Sequence, residues 1–380
     1  MKKQSITALL NCRIICDDDF KLVDIFVKNN MIFSIGGNLE ADSIIDMQGD
    51  VLLPKFFNIH SHLGENLFPP PDSDCTIKKY LQYTSKITDN LSAEQNQELW
   101  NKSANLAISE MYKSGTIGFC AARSTEVVNK KKLITMSGYP FMISKKLRHY
   151  SNDSFNRYKN YYAENASDIC SVGIFLHSLY MANESILSQV KKCYDYKADF
   201  IAVHVSEDDE TRQQEIIRFG REPILVLDKW GLLTNKTIVV HGGYLSQEEL
   251  HLIKKRNATI AICPISNAVL NTVCANIVKL KELGINWCIA SDGMTTGKTF
   301  NLIEQTNRLK HSYTELSSME LFNAITKIPA QLFNRRTYTG SIDVNTIASF
   351  LIRNVQFTTV ENALNDLFEN SVKWEGFEVT

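Results

Sequence analysis

The sequence predicts an α/β protein: a (β/α)₈ TIM-like barrel with a small β-sandwich side domain built from both termini. Three observations carry this. From Val51 onward, short apolar runs alternate with longer amphipathic stretches, as strands and helices do around a parallel sheet. Eight such alternations fit within about 250 residues, which favours a closed barrel over an open sheet. Both ends of the chain read as β instead. The expected boundaries are 1–53 for the first part of the side domain, 54–335 for the barrel and 336–380 for the second part.

In chain order, the N-terminal β segments are TALLNCRIIC, KLVDIFVKN, MIFSIGG and SIIDMQGDVLL, punctuated by Asp runs, Asn29-Asn30 and Gly36-Gly37. The barrel strands are VLLPKFFNIH, TIGFCAA, YPFMIS, SVGIFLH, FIAVHV, TIVVH, TIAIC and WCIAS. Helices between them carry cap signals. Ser92 precedes a long amphipathic stretch that stops at Gly115, Ser246 precedes QEELHLIKKR, and Gly284 ends a segment containing IVKLKEL. After about residue 335 the segments GSIDVNTIASFLIRN and KWEGFEV return to β.

Composition narrows the function classes. Among 380 residues, 41 basic side chains balance 42 acidic ones, and 44% are apolar, which excludes both a disordered chain and a polycationic nucleic-acid surface. No apolar run approaches the roughly 20 residues of a membrane span, and Asp17, Asp18 and Asp19 arrive before any signal-like apolar region develops. Nine cysteines form no CxxC pair, and several lie in apolar runs, so a disulfide framework is not expected. A cytoplasmic protein, without a nucleic-acid surface or a membrane span, is the resulting expectation.

The histidines carry the chemistry. Of eight, five lie at or just beyond a predicted strand end: His60, His62, His177, His204 and His241. The C-terminal strand ends of such a barrel converge on one face, which bears the active site. His60 and His62 are one residue apart; side chains alternate along a strand, so both project to the same side and can bind one ion. Asp292 ends the last strand run, CIASDG. Imidazoles with a carboxylate suit zinc, with iron or manganese as alternatives.

With these residues in place, the chain resembles the amidohydrolase superfamily, in its deaminase and chlorohydrolase branch. The resemblance rests on LLPKFFNIHSH at 52–62, FLHSLY at 175–180, VHVSEDDE at 203–210, VVHGGYLSQEEL at 239–250, CPISN at 263–267 and ASDG at 290–293, and it covers nearly the whole chain. It implies one divalent metal ion held by His60, His62, His204 and Asp292, with Glu207, His241 and Asp292 as the catalytic set. The bridging lysine of two-metal members has no counterpart, because the fourth strand ends in His177. The HxE and PCxxC pattern of the other zinc deaminases is absent as well.

The implied reaction is aminohydrolysis: hydroxide generated from water at the metal replaces an exocyclic amino group of a nitrogen heterocycle, in the first instance a purine or nucleoside, and ammonia leaves. Glu207 protonates the ring, His241 orients water, and His177 and Tyr180 meet the substrate. Glu65 is placed to bind sugar hydroxyls or an amine, and Arg123 an anionic or carbonyl group. Two other enzyme readings keep the same metal, chlorohydrolysis and opening of a cyclic amide or imide; a non-catalytic metal-binding barrel is the third alternative. Family habit implies a homodimer. The chain departs from the family pattern at Pro54-Lys55, at Met294-Thr295-Thr296-Gly297 after ASDG, and in the loop after HSH, which reads LGENLFPPPDSDCTIKKYL and whose Pro-rich part at 64–80 is the expected lid.

Overall fold

Two sheets organise the computed structural model, which describes residues 5–69, 75–122, 134–141 and 154–379. The first begins with β1 (Ile6–Cys16), β2 (Asp19–Lys28), β3 (Met31–Ile35), β4 (Ser43–Asp46) and β5 (Val51–Pro54). The two hairpins among them turn through Asp17-Asp18 and Asn29-Asn30, all four in the left-handed region. Two-residue turns require that conformation, and Asp and Asn tolerate it best after Gly.

The second sheet is the barrel. It contains β6 (Phe56–His62), β7 (Thr116–Ala121), β8 (Ile134–Phe141), β9 (Cys170–Ser178), β10 (Ile201–Val205), β11 (Thr237–His241), β12 (Thr259–Ile262), β13 (Asn286–Ile289) and the two-residue β14 (Asp292–Gly293). Neighbours are parallel and follow chain order, and β14 pairs with β6 through Asp292 opposite Ser61 and Gly293 opposite His62, which joins the last strand run to the first. The chain then returns to the first sheet with β15 (Ser349–Arg353) and β16 (Glu375–Glu378), giving the path β16-β15-β5-β1-β2-β3 with β4 against β1. The architecture is thus a TIM-like barrel with a separate sheet contributed by both termini.

Strand parity explains the layers. Ala202, Ile238, Val240, Ala261 and Cys288 share one buried cluster, whereas Ile201, Val203, Val239, Ile260 and Ile262 belong to another, packed with the surrounding helices. Alternate residues therefore serve opposite faces of the strands. His204 has the parity of Ala202.

Two predicted strands shift. The run at 51–60 is not one strand: β5 pairs with β15 and β6 with β7, so the chain changes sheets at Lys55. There Lys55 Nζ meets Glu378 Oε1 at 2.8 Å and the Tyr338 hydroxyl donates to the Lys55 carbonyl at 2.9 Å. The third barrel strand already runs from Ile134, five residues before the expected start at Tyr139, and is described as far as Phe141; 142–144 of the expected strand lie outside the described residues. Gly138 fills a tight strand position, where a Cβ would stand 3.0 Å from the Ala121 carbonyl oxygen.

The predicted caps form. Ser92 and Ser246 each make a reciprocal capping box, and Gly115 and Gly284 adopt left-handed φ. Glu249, fully buried, also takes part in a polar knot. Its Oε2 accepts from Ser246 N at 2.9 Å and Arg212 Nη2 at 3.0 Å, and its Oε1 from Ile224 N at 3.1 Å. Breaking a buried pair strands its partner, so Glu249→Leu is expected to remove about 3–5 kcal/mol of stability, read as a lower midpoint in urea unfolding. Among the described residues, no helix is long and apolar enough to cross a membrane.

Candidate active site

The site forms where β6, β10, β11 and the β13–β14 run end. His60 and His62 are the fifth and seventh residues of β6, and His204 is the fourth residue of β10. Their Nε2 atoms converge: His204 lies 3.2 Å from His60 and 3.3 Å from His62. Asp292 Oδ1 stands 3.5 Å from the Nε2 of both His60 and His62, and all four ligand atoms fall within 4.8 Å of one another. Such a set of imidazoles and one carboxylate is able to hold a metal ion.

Electrostatics fit that donor set. Burial lowers the pKa of His60 and takes His204 well below the usual imidazole range, which leaves both neutral and able to give a lone pair. Burial opposes the charge on Asp292, but the hydrogen bond with His60 and the nearby imidazoles outweigh it and hold the carboxyl well below its usual range. Its second oxygen is already satisfied: Ser266 Oγ donates to Oδ2 at 2.5 Å and Thr296 Oγ1 at 2.9 Å. Oδ1 is thereby aimed toward the histidines.

Backbone strain marks the strand ends. Ser206, His241 and Asp292 have φ of 48°, 71° and 63°, a conformation that non-glycine residues adopt only when their surroundings impose it. For His241, which follows Val240 with the opposite parity, this turn breaks the strand alternation. Its Nε2 comes within 3.4 Å of Glu207 Oε1. Burial lowers His241 to about 4 and raises Glu207 well above the usual carboxyl range, with Asp292 adding to the latter effect. Glu207 does not cap the helix Asp209–Phe219. Asp208 does, accepting from Thr211 N at 2.7 Å, so the acidic run divides into one capping residue and one residue of the site.

The other predicted positions fall as follows. The His177 ring stacks edge-on to His204 with centroids 5.0 Å apart, outside the four-residue donor group, and Tyr180 is half-buried beside it. Loss of water around His177, with His62 and His60 nearby, lowers it to about 3. Glu65 approaches His62, with Oε1 3.8 Å from Nδ1. Arg123 and residues 70–74 of the expected lid lie outside the described residues. Asn58 anchors Ser291, the neighbour of Asp292, donating to its Oγ at 2.6 Å and accepting from its backbone N at 3.2 Å.

Four contributors were not among the expected site residues. Tyr80, on the helix Ile77–Asp89, donates its hydroxyl to Glu65 Oε2. Glu215 Oε1 accepts from the backbone of Leu179 and Tyr180 at 3.0 and 3.2 Å, supporting the turn after His177. Thr295 and Thr296 looked like a departure from the family pattern. They replace its polar pair with hydroxyls that serve Glu65 and Asp292. Only a Tyr at helix position four after a loop precedes the first of these interactions in sequence, and many helices have one.

Comparison with known proteins agrees with this geometry. The chain is 27% identical over 309 residues to a 5-methylthioadenosine/S-adenosylhomocysteine deaminase of Thermococcus sibiricus, covering 78% of this chain and 72% of that relative. In structure it resembles a zinc-bound adenosine deaminase from Xanthomonas campestris, with TM-score 0.82 and 18% identity over 94% of this chain and 88% of that one. It also resembles a guanine deaminase from C. acetobutylicum with guanine in its active site, with TM-score 0.81 and 21% identity over 99% of both chains. The family model for the amidohydrolase family matches residues 51–373, and the chain belongs to that family.

Proposed function

We propose that the protein is an aminohydrolase using a single divalent cation, zinc in the first instance, held by His60, His62, His204 and Asp292. The observation that carries this reading is the convergence of three imidazole Nε2 atoms and one anchored carboxylate oxygen beside the Glu207–His241 contact. The donor set fits zinc, for which imidazole and carboxylate are ordinary ligands. When bound, the cation lowers the pKa of water from about 15.7 toward about 7 and so supplies hydroxide at neutral pH.

The remaining work belongs to side chains. Glu207, held protonated by burial, donates from its carboxyl to the ring nitrogen next to the attacked carbon, so negative charge does not accumulate on the ring as the carbon becomes tetrahedral. His241, neutral and within reach of Glu207, orients the attacking water through Nε2. Asp292 takes the proton that the water loses and returns it to the departing amine, and the remaining hydroxyl proton passes to Glu207 as the carbonyl forms, so ammonia leaves neutral and Glu207 is protonated again, while Ser266 and Thr296 hold the other Asp292 oxygen in place. His177 and Tyr180 face the substrate.

An aminopurine nucleoside is the preferred substrate class, supported by the adenosine- and guanine-directed names of the relatives. A cavity of about 420 Å³ beside Tyr180, between the helices Ile77–Asp89 and Asp209–Phe219, offers room for a group beyond the ring. Ammonia release from a panel of adenosine derivatives, free aminopurines, pterins, cytosine and triazines tests the proposal. Release from adenosine derivatives ahead of free bases is the expected result; no release from any member by metal-loaded protein would overturn it in favour of another leaving group.

A further inference from the structure

A histidine that binds a metal through one ring nitrogen is normally fixed by a partner on the other, and that partner sets the tautomer and the aim of the lone pair. In this site the Nδ1 atoms of His60 and His241 are buried without a hydrogen-bond partner. His62 is different. Its Nδ1 faces Glu65 Oε1 at 3.8 Å, within ion-pair reach.

Glu65 is itself held on several sides. It ends the short 3₁₀ turn Leu63–Glu65 directly after β6, so its backbone continues the strand that carries both histidines. Its Oε2 accepts a hydrogen bond from the Tyr80 hydroxyl, and its carbonyl accepts from Thr295 Oγ1 at 2.7 Å. Gly293 packs against the pair: a Cβ there would meet His62 Cβ at 3.2 Å and Glu65 Oε2 at 3.5 Å. Tyr80, only 9% exposed, reaches this point from the helix Ile77–Asp89. Both carboxyl oxygens of Glu65 are therefore directed at protein groups.

We propose that Glu65 and Tyr80 are positioning residues for the metal centre: Tyr80 orients the Glu65 carboxylate, which holds the proton of His62 on Nδ1 and so points the Nε2 lone pair at the ion. The inference rests on the single-cation reading above and goes beyond it in giving Glu65 a role toward His62 rather than toward substrate. It also links the helix Ile77–Asp89 to ligand geometry. That helix is tied a second time to the rim by Lys78 Nζ, 3.0 Å from Glu210 Oε1.

The test uses full-length apoprotein and Zn²⁺ competed against a chelator, with the visible spectrum of the Co²⁺-loaded protein as a second reading and thermal melting as a check of folding. Loss of such a supporting group typically lowers metal affinity 10–100-fold, the result expected for Glu65→Ala, together with a changed Co²⁺ spectrum. Glu65→Gln keeps an acceptor for the Nδ1 proton and should recover most of the affinity. Tyr80→Phe removes one hydroxyl without emptying the core and should cost about fivefold, the worth of one hydrogen bond. Tyr83→Phe, on the same helix but bonded to the Pro69 carbonyl, should leave affinity unchanged.

Affinity within twofold of wild type in both Glu65→Ala and Tyr80→Phe would overturn the proposal. So would a raised KM with unaltered metal affinity, which would make Glu65 a substrate contact. Weakened metal binding in a protein that deaminates nothing would sink the aminohydrolase reading alone, and a wild-type protein that binds no divalent ion would overturn both.

Discussion

Glu207→Gln is expected to lower turnover by 10²–10⁴-fold while leaving the bound metal unchanged. The substitution keeps the shape of the side chain and a polar contact for His241 Nε2, which lies 3.4 Å from Glu207 Oε1. It removes only the acidic proton. Glu207 is not a member of the metal-binding group, so elemental analysis of the variant should match wild type. Steady-state ammonia release then isolates the proton-transfer role: a fall in kcat with little change in KM is the expected pattern. Retention of more than about a tenth of wild-type turnover would remove Glu207 from the reaction and return it to the acidic start of the following helix.

His204→Ala is expected to abolish metal binding, and with it activity. This residue is central to the donor set, since its Nε2 faces those of both His60 and His62. Without the ion, water with its pKa lowered from about 15.7 toward about 7 is no longer available as a source of hydroxide at neutral pH, so turnover should fall about a thousandfold or more. The apo variant should also gain nothing in melting temperature from added Zn²⁺, whereas wild type gains stability with free metal concentration by mass action. A variant that still holds one equivalent of zinc and turns over substrate would show that the ion is held elsewhere.

The barrel and the strand-end places of the histidines were legible because both depend on local patterns, whereas the choice of His60, His62, His204 and Asp292 as the donor set came from the family resemblance. His60 and His62 are paired by the two-residue strand period, and His204 and Asp292 are located by the ends of apolar runs, which a parallel barrel places on one rim. His241 was legible for the same reason, though its left-handed φ was not, nor was the close packing that brings the Val273 carbonyl oxygen to 1.9 Å from where a Gly243 Cβ would stand.

Tertiary partners were not legible. Tyr80 is 15 residues from Glu65, and Glu215 is 35 and 36 residues from the amides of Tyr180 and Leu179. Nothing in their local sequence separates them from ordinary helix residues, so only the fold reveals what they support. The same is true of Thr296, whose bond to Asp292 becomes visible only once β14 returns beside β6.

Titrating zinc into metal-free protein while following ammonia release from an adenosine derivative tests the central claim most directly. Activity should be absent at the start, rise in proportion to added metal and break at one equivalent per chain. Full activity in the metal-free protein, or a break at two equivalents, would contradict a single cation held by His60, His62, His204 and Asp292.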